Sequence, residues 1–90
     1  MRKYRVLSID AWADGEGGWF WNNWYSVDTL EAMPEDGKVI DALIELGLLS
    51  EKARHLCEVE DDQYNLVVTY KADGCPLLAI EYGNEDGGEI

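Results

Sequence analysis

The chain has 90 residues, of which 19 are acidic and 7 are basic, so its formal net charge is -12. Three of the basic residues lie in the first five positions, and residues 6–90 carry 19 acidic against 4 basic residues, a net -15. This charge excludes non-specific binding to nucleic acid and disfavours binding to anionic membranes, because both depend on cationic side chains. Hydrophobic residues make up 47% of the chain, which predicts a folded protein despite the charge.

The size of the chain predicts a single small domain over residues 1–83, followed by an acidic, glycine-rich tail over residues 84–90. The basic N-terminus is not followed by an apolar signal region, and no apolar run approaches the ~20 residues that span a bilayer. We therefore expect a cytoplasmic protein. Cys57 and Cys75 lack a Cys-x-x-Cys spacing and are expected to be free thiols that pack as small apolar groups.

A β-hairpin is predicted at the start of the chain. Residues 4–13 alternate as a strand, residues 14–18 form a glycine-rich turn, and residues 19–27 form the returning strand. One face of the first strand carries Leu7, Ile9 and Ala11, and the other carries Val6, Ser8, Asp10 and Trp12. Asn22 and Asn23 are poor strand residues and predict a β-bulge.

A connector and the main helix follow the hairpin. Residues 28–37 form the connector, in which residues 29–33 are expected to make one helical turn. Apolar residues then recur with helical spacing over residues 38–46, for which Asp36 is the predicted N-cap. Gly47 is the predicted C′ residue that ends the helix.

The remainder of the chain is predicted to be β-structure. Strands are expected at residues 55–60, 64–71 and 76–82, and Asp73-Gly74 is the hairpin signal between the last two. The order β-β-α-β-β-β predicts an α+β fold, in which an antiparallel sheet of about five strands carries one main helix on one face. The other face would be left partly open, and an open face with aromatic residues is a natural interaction surface.

Six of the ten aromatic residues lie between positions 12 and 25. These rings either fill the core of a small domain or anchor a protein interface. The residues expected to bind a partner in the second case are Trp19, Trp21, Trp24 and Tyr25. A stacking platform for single-stranded nucleic acid would need a cationic groove beside the rings, which this sequence lacks.

Acidic residues are densest between positions 58 and 62. Glu58, Glu60 and Asp62 recur every second residue, so a strand would project them on one face about 6.8 Å apart. Such a row either keeps the protein in solution or imitates the phosphates of a nucleic acid. The carboxylates expected to form the imitating surface are Glu58, Glu60, Asp61 and Asp62, joined by Asp41 and Glu45 if the helix packs nearby.

The sequence indicates neither a catalytic site nor a cofactor. Carboxylates surround the glycine-rich turn at residues 14–18, but their spacing does not match an EF-hand and fits a weak Ca²⁺ site at most. A zinc site would have at most three ligands from His55, Cys57 and Cys75. His55 and Cys57 form the one nucleophile–base pairing, and no cationic neighbour activates the thiol. We therefore expect a protein that is not an enzyme and that needs no metal.

Several segments resemble small phage and mobile-element proteins that have no assigned activity. The resemblance rests on residues 5–14, Gly18-Trp19, residues 22–25 and the Val-Glu-Asp-Asp-Gln-Tyr run at residues 59–64. It implies a small accessory protein but transfers no functional residue. Small acidic phage proteins include inhibitors of host defence nucleases, so the resemblance also favours mimicry, by analogy alone.

We therefore expect a non-catalytic accessory protein that acts through protein–protein contacts, as a monomer or a homodimer. In its sharpest form, it is an acidic inhibitor that occupies the nucleic-acid groove of a basic host protein. The alternative is a structural or assembly module that associates with itself through an exposed sheet face. Steep weakening of binding with salt would distinguish the first from the second.

Overall fold

The computed structural model describes residues 4–35 and 37–82, without the side chains of residues 21–24. Its elements in chain order are β1 (Tyr4–Ala13), β2 (Trp19–Leu30), α1 (Val39–Glu45), α2 (Ala53–Leu56), β3 (Cys57–Asp61), β4 (Asn65–Tyr70) and β5 (Pro76–Glu81). The strands form one antiparallel sheet in the order β2-β1-β5-β4-β3. This arrangement confirms the predicted α+β fold. The predicted tail at residues 84–90 lies outside the described residues.

The β1–β2 hairpin turns at a loop that Asp14 organises. Its Oδ1 accepts hydrogen bonds from the backbone N–H groups of Glu16 at 2.7 Å and Gly18 at 2.9 Å, and these bonds lower the Asp14 pKa. The five-residue loop places Ala13 opposite Trp19. Further along, the pairing register skips residue 22, which confirms the predicted bulge.

The main core lies between α1 and one face of the sheet. Its fully buried members are Val6, Leu43, Val68 and Ile80, contributed by β1, α1, β4 and β5. Residues two apart along a strand share a face, so Leu66 and Val68 of β4 and Leu78 and Ile80 of β5 all belong to this core. The helix-bearing face therefore has its core over the central strands β1, β5 and β4.

The opposite face of the sheet is less open than its single layer predicts. Leu7, Val67 and Ala79 are buried there, with Ile9 packed against them. These residues lie on β1, β4 and β5, the three central strands of a curled sheet.

Helix α1 ends as predicted at Gly47. This residue has a φ of +81°, its N–H bonds to the Ile44 carbonyl, and the N–H of Leu48 reaches back to the Leu43 carbonyl. These two bonds form a Schellman motif, which satisfies carbonyls of the last turn. The predicted N-cap Asp36 lies outside the described residues, and Lys38 precedes the helix without a side-chain cap.

Two predicted boundaries are wrong. Residues 29 and 30 continue β2 instead of starting a helical turn, because β1 extends far enough for Tyr4 to pair with Leu30. The strand predicted from residue 55 begins at Cys57, since α2 occupies residues 53–56. There the N–H groups of His55 and Leu56 both bond to the Lys52 carbonyl. Within the described residues, neither helix is long and apolar enough to cross a membrane.

Candidate protein-interaction surface

Three aromatic side chains form an exposed patch on the outer part of the β1–β2 hairpin. Trp12 pairs with Phe20 across the strands, and Tyr25 pairs with Ser8, so all three rings lie on the same face. They are 45%, 54% and 64% exposed, in the order Trp12, Phe20 and Tyr25. The rings of Trp12 and Phe20 are in contact, with centroids 5.9 Å apart and planes tilted by 33°. We call these three residues the aromatic patch.

The patch is exposed because the hairpin extends past the core. The pairing of β1 with β5 ends at Ser8 and Leu78, so residues beyond Ser8 in β1 pair with β2 alone. The core beneath α1 includes Val6 of β1, whereas Asp10 and Trp12 lie on the same face beyond it. Large rings in this position stay in contact with water unless a partner covers them.

Negative charge accompanies the aromatic patch. Asp10 is exposed and lies on the same face of β1, between Ser8 and Trp12. Arg5 is the one basic residue in residues 4–35, and its guanidinium is paired with Glu81 at 2.8 Å. The patch thus combines apolar rings with a carboxylate and lacks a neighbouring free cation in the described part of the hairpin.

The structure places the four aromatic residues that were predicted to bind a partner in different environments. Tyr25 is exposed and belongs to the patch. Trp19 is half-buried, and its indole N–H donates to the backbone carbonyl of Asp73 at 2.9 Å, so it holds the fold together. The side chains of Trp21 and Trp24 lie outside the described residues.

Sequence reasoning missed Trp12 and Phe20 as members of the patch, although signals for both were present. The five-residue loop fixes Ala13 opposite Trp19 and therefore Trp12 opposite Phe20. Alternation along β1 also places Asp10 and Trp12 on one face. What the sequence did not reveal was that the helix-covered core ends before these residues.

The acidic run at residues 58–62 is divided between two faces and a turn. Glu58 and Glu60 are exposed and lie opposite Thr69 and Val67, on the face away from the helices. The expectation that Asp62 continues this row is wrong because β3 ends at Asp61.

Asp61 and Asp62 instead stabilise the β3–β4 turn. The Asp61 carboxylate accepts the Tyr82 hydroxyl at 2.7 Å and the Gln63 N–H at 3.0 Å, and these bonds lower the Asp61 pKa. Oδ1 of Asp62 accepts the N–H groups of Tyr64 at 2.9 Å and Asn65 at 2.6 Å. Both carboxylates therefore have hydrogen-bond partners within the protein, and both side chains are exposed.

The helical acids Asp41 and Glu45 lie on the other side of the sheet from Glu58 and Glu60. Asp41 forms an ion pair with Arg54, which also bonds to Glu51 at 2.9 Å. Glu45 is exposed at the rim of an open groove of about 450 Å³ between the end of β2 and α1. The six predicted acids consequently do not form one continuous surface.

The two residues of the candidate catalytic pair, His55 and Cys57, differ in their exposure to solvent. His55 is exposed on α2, whereas Cys57 is buried in the core at the start of β3, where burial raises the pKa of its thiol. Both cysteines are free, as expected. Among residues 4–35 and 37–82, no group of three or more histidine, cysteine or acidic side chains is arranged to hold a metal ion.

Comparison of this chain with protein-family models, with curated proteins and with solved structures finds no match.

Proposed function

We propose that this chain is a non-catalytic, cytoplasmic accessory protein that binds a protein partner through the aromatic patch. The observation that carries the proposal is the exposure of Trp12, Phe20 and Tyr25 on one face of a hairpin beyond the core. Aromatic residues are enriched among the residues that dominate binding energy at interfaces. We further propose, from the resemblance noted for residues 5–14 and 59–64, that it is an accessory protein of a phage or mobile element.

The charge of the chain indicates the chemistry of the partner. A molecule of net charge -12 associates fastest with a basic surface, and the field around Asp10 has the same sign as the whole chain. A second copy of the chain carries the same charge, which opposes self-association. The proposed partner is therefore a basic protein.

Nucleic-acid mimicry is a second candidate function, supported by Glu58 and Glu60. Both side chains are exposed on one face of the edge strand β3, and neither has a hydrogen-bond or ion-pair partner among the described residues. Two carboxylates about 6.8 Å apart could meet two cations of a phosphate-binding groove. Mimicry would use the edge of the sheet opposite to the aromatic patch.

Affinity capture from a host lysate, followed by mass spectrometry, distinguishes the two surfaces. Phe20→Ala combined with Tyr25→Ala removes the two most exposed rings of the patch. Tyr64→Ala is the matched control, because Tyr64 is 74% exposed and lies outside the patch. We expect the double variant to lose the partner and the control to retain it.

A charge-reversal variant, Glu58→Lys with Glu60→Lys, tests mimicry in the same experiment. Loss of the partner in this variant alone would show that the acidic edge, not the patch, is the binding surface. Retention of the partner by the Phe20→Ala, Tyr25→Ala variant would overturn the main proposal. Sedimentation of each purified variant at low and high salt tests self-association. A dimer with an apolar interface would persist at high salt.

A further inference from the structure

The aromatic patch has a carboxylate in its middle, and this arrangement specifies a ligand. Resting on the proposed function, we infer that the patch binds the guanidinium group of an arginine in an extended basic segment of the partner. Asp10 is the counter-ion, with the Trp12–Phe20 pair on one side of it and Tyr25 on the other. The inference depends on this juxtaposition of rings and charge.

The pairing register fixes the spacing of these groups. Asp10 pairs with Asn23, so Trp12 lies two residues away along β1, at about 6.8 Å, and Tyr25 lies diagonally across, at roughly 7–8 Å. A cation is attracted to an aromatic face within about 6 Å of the ring centre. A single guanidinium above Asp10 can therefore contact the carboxylate and a ring.

Arginine fits this surface better than lysine does. Its planar guanidinium stacks on aromatic rings and donates two parallel hydrogen bonds to a carboxylate, whereas an ammonium group is a compact and strongly hydrated charge. The carboxylate of Asp10 is exposed and has no hydrogen-bond or ion-pair partner among the described side chains. Arg5 does not compete, because it is paired with Glu81 and alternation places it on the other face of β1.

The two edges of the sheet differ in a way that favours an extended partner segment at β2. Edge strand β3 has three acidic residues among five, and such charges discourage strand addition. Edge strand β2 has 12 residues, of which Asp28 is the only charged one. An extended peptide that pairs with β2 would place alternate side chains beside Phe20 and Tyr25, on the face that carries Asp10.

The irregularities of β2 favour a short peptide over a second copy of the chain. The register skips Asn22 and Val27, so the regular stretch between them covers only residues 23–26. If two β2 strands paired along their full length, the irregularities at Asn22 and Val27 of each strand would interrupt the pairing. Such pairing would also bring together two chains of charge -12. A short basic segment beside Phe20 and Tyr25 crosses only the irregularity at Asn22, and its charge is opposite to that of the chain.

Peptide binding to the ¹⁵N-labelled protein tests the inference by NMR. The probe is a synthetic peptide of alternating arginine and threonine, compared with the same peptide carrying lysine or the neutral isostere citrulline. We expect the arginine peptide to shift the amide signals of Asp10, Trp12, Phe20 and Tyr25, to bind several-fold more tightly than the lysine peptide, and to outcompete the citrulline peptide. Asp10→Asn should weaken binding by roughly tenfold, whereas the matched control Glu58→Gln should leave it unchanged.

Any of three results would overturn the inference. The first is equal affinity of the arginine and citrulline peptides, and the second is unchanged affinity in Asp10→Asn. The third is a concentration-dependent dimer that Phe20→Ala dissociates, which would make a second copy the occupant. Failure of the inference is distinguishable from failure of the proposed function, because a captured partner that needs Phe20 and Tyr25 but not Asp10 supports the latter alone.

Discussion

The indole N–H of Trp19 donates a 2.9 Å hydrogen bond to the backbone carbonyl of Asp73, 54 residues later in the chain. Trp19 begins β2, whereas Asp73 lies in the turn between β4 and β5. The turn is itself fixed by bonds from Gly74 N–H to the Tyr70 carbonyl at 2.7 Å and from Cys75 N–H to Oδ1 of Asp73 at 3.0 Å. Trp19 therefore joins the loop end of the β1–β2 hairpin to the hydrogen-bonded β4–β5 turn, in a region where β1 and β5 no longer pair.

Replacement of Trp19 by phenylalanine should destabilise the protein. The variant keeps an aromatic ring but removes the donor to Asp73, so we expect the free energy of unfolding to fall by about 1 kcal/mol. Urea denaturation followed by circular dichroism measures this change. Trp12→Phe is the matched control, because the Trp12 indole has no hydrogen bond among the described residues. Equal stability of the two variants would contradict a structural role for the Trp19 bond.

Replacement of Gly47 by alanine should also be destabilising. The space around this residue is open, so the penalty comes only from its φ of +81°, which a residue with a Cβ adopts at a cost of about 1 kcal/mol. Gly47→Asn should cost less, because asparagine tolerates this conformation better. Thermal unfolding of both variants provides the comparison, and a harmless alanine variant would be inconsistent with the Schellman motif.

The hydrogen bond from Tyr82 to Asp61 should make stability depend on pH. This bond is the main cause of the lowered Asp61 pKa, so its stabilising effect is present above the ordinary pKa of 3.8 and is lost as the pH falls through the folded-state value. Tyr82→Phe should therefore reduce stability at neutral pH and have less effect at roughly pH 2.

NMR titration of the Asp61 carboxyl carbon provides a direct measurement. We expect the Asp61 pKa to rise toward its ordinary value in Tyr82→Phe and to stay lowered in Tyr64→Phe, which removes a hydroxyl from an exposed ring. An Asp61 pKa that is unchanged by Tyr82→Phe would show that the Gln63 N–H, not the hydroxyl, is the main cause.

The two thiols should react at different rates. Burial raises the pKa of both thiols, so the difference comes from accessibility: Cys57 is buried in the core, whereas Cys75 is half-exposed. At neutral pH we expect iodoacetamide to alkylate Cys75 first and Cys57 only as the protein unfolds, as measured by peptide mass spectrometry. In the Cys75→Ser variant, the slower alkylation of Cys57 can be followed alone. Alkylation of Cys57 at the rate seen in urea would contradict its burial.

The sequence predicted those parts of the fold that local chemistry determines. The glycine-rich loop after Ala13, the bulge at Asn22 and the helix end at Gly47 each follow from the conformational preferences of a few neighbouring residues. The boundary errors at residues 29–30 and 55–56 occurred where a distant partner decides the structure. Leu30 is in a strand because Tyr4 is available to pair with it.

The candidate surface was predicted only in part for the same reason. Tyr25, Glu58 and Glu60 are exposed; for Tyr25 the sequence left burial and exposure as alternatives. Asp41, however, is paired with Arg54 of another element, and Asp61 is bonded to Tyr82 beyond the end of β5. Such pairings depend on tertiary contacts, so the local sequence could not show which carboxylates have partners within the protein.

Strand β5 has a consequence for how this protein reaches its native state during translation. It pairs with β1 on one side and β4 on the other, and Val6 meets Ile80 only after 74 further residues have been added. Until residues 76–81 leave the ribosome, the nascent chain can form two separate hairpins that share no described backbone pairing. The closing step joins them through a long loop, which is intrinsically slow. The rings of the first hairpin are therefore exposed to chaperones well before the core beneath α1 is complete.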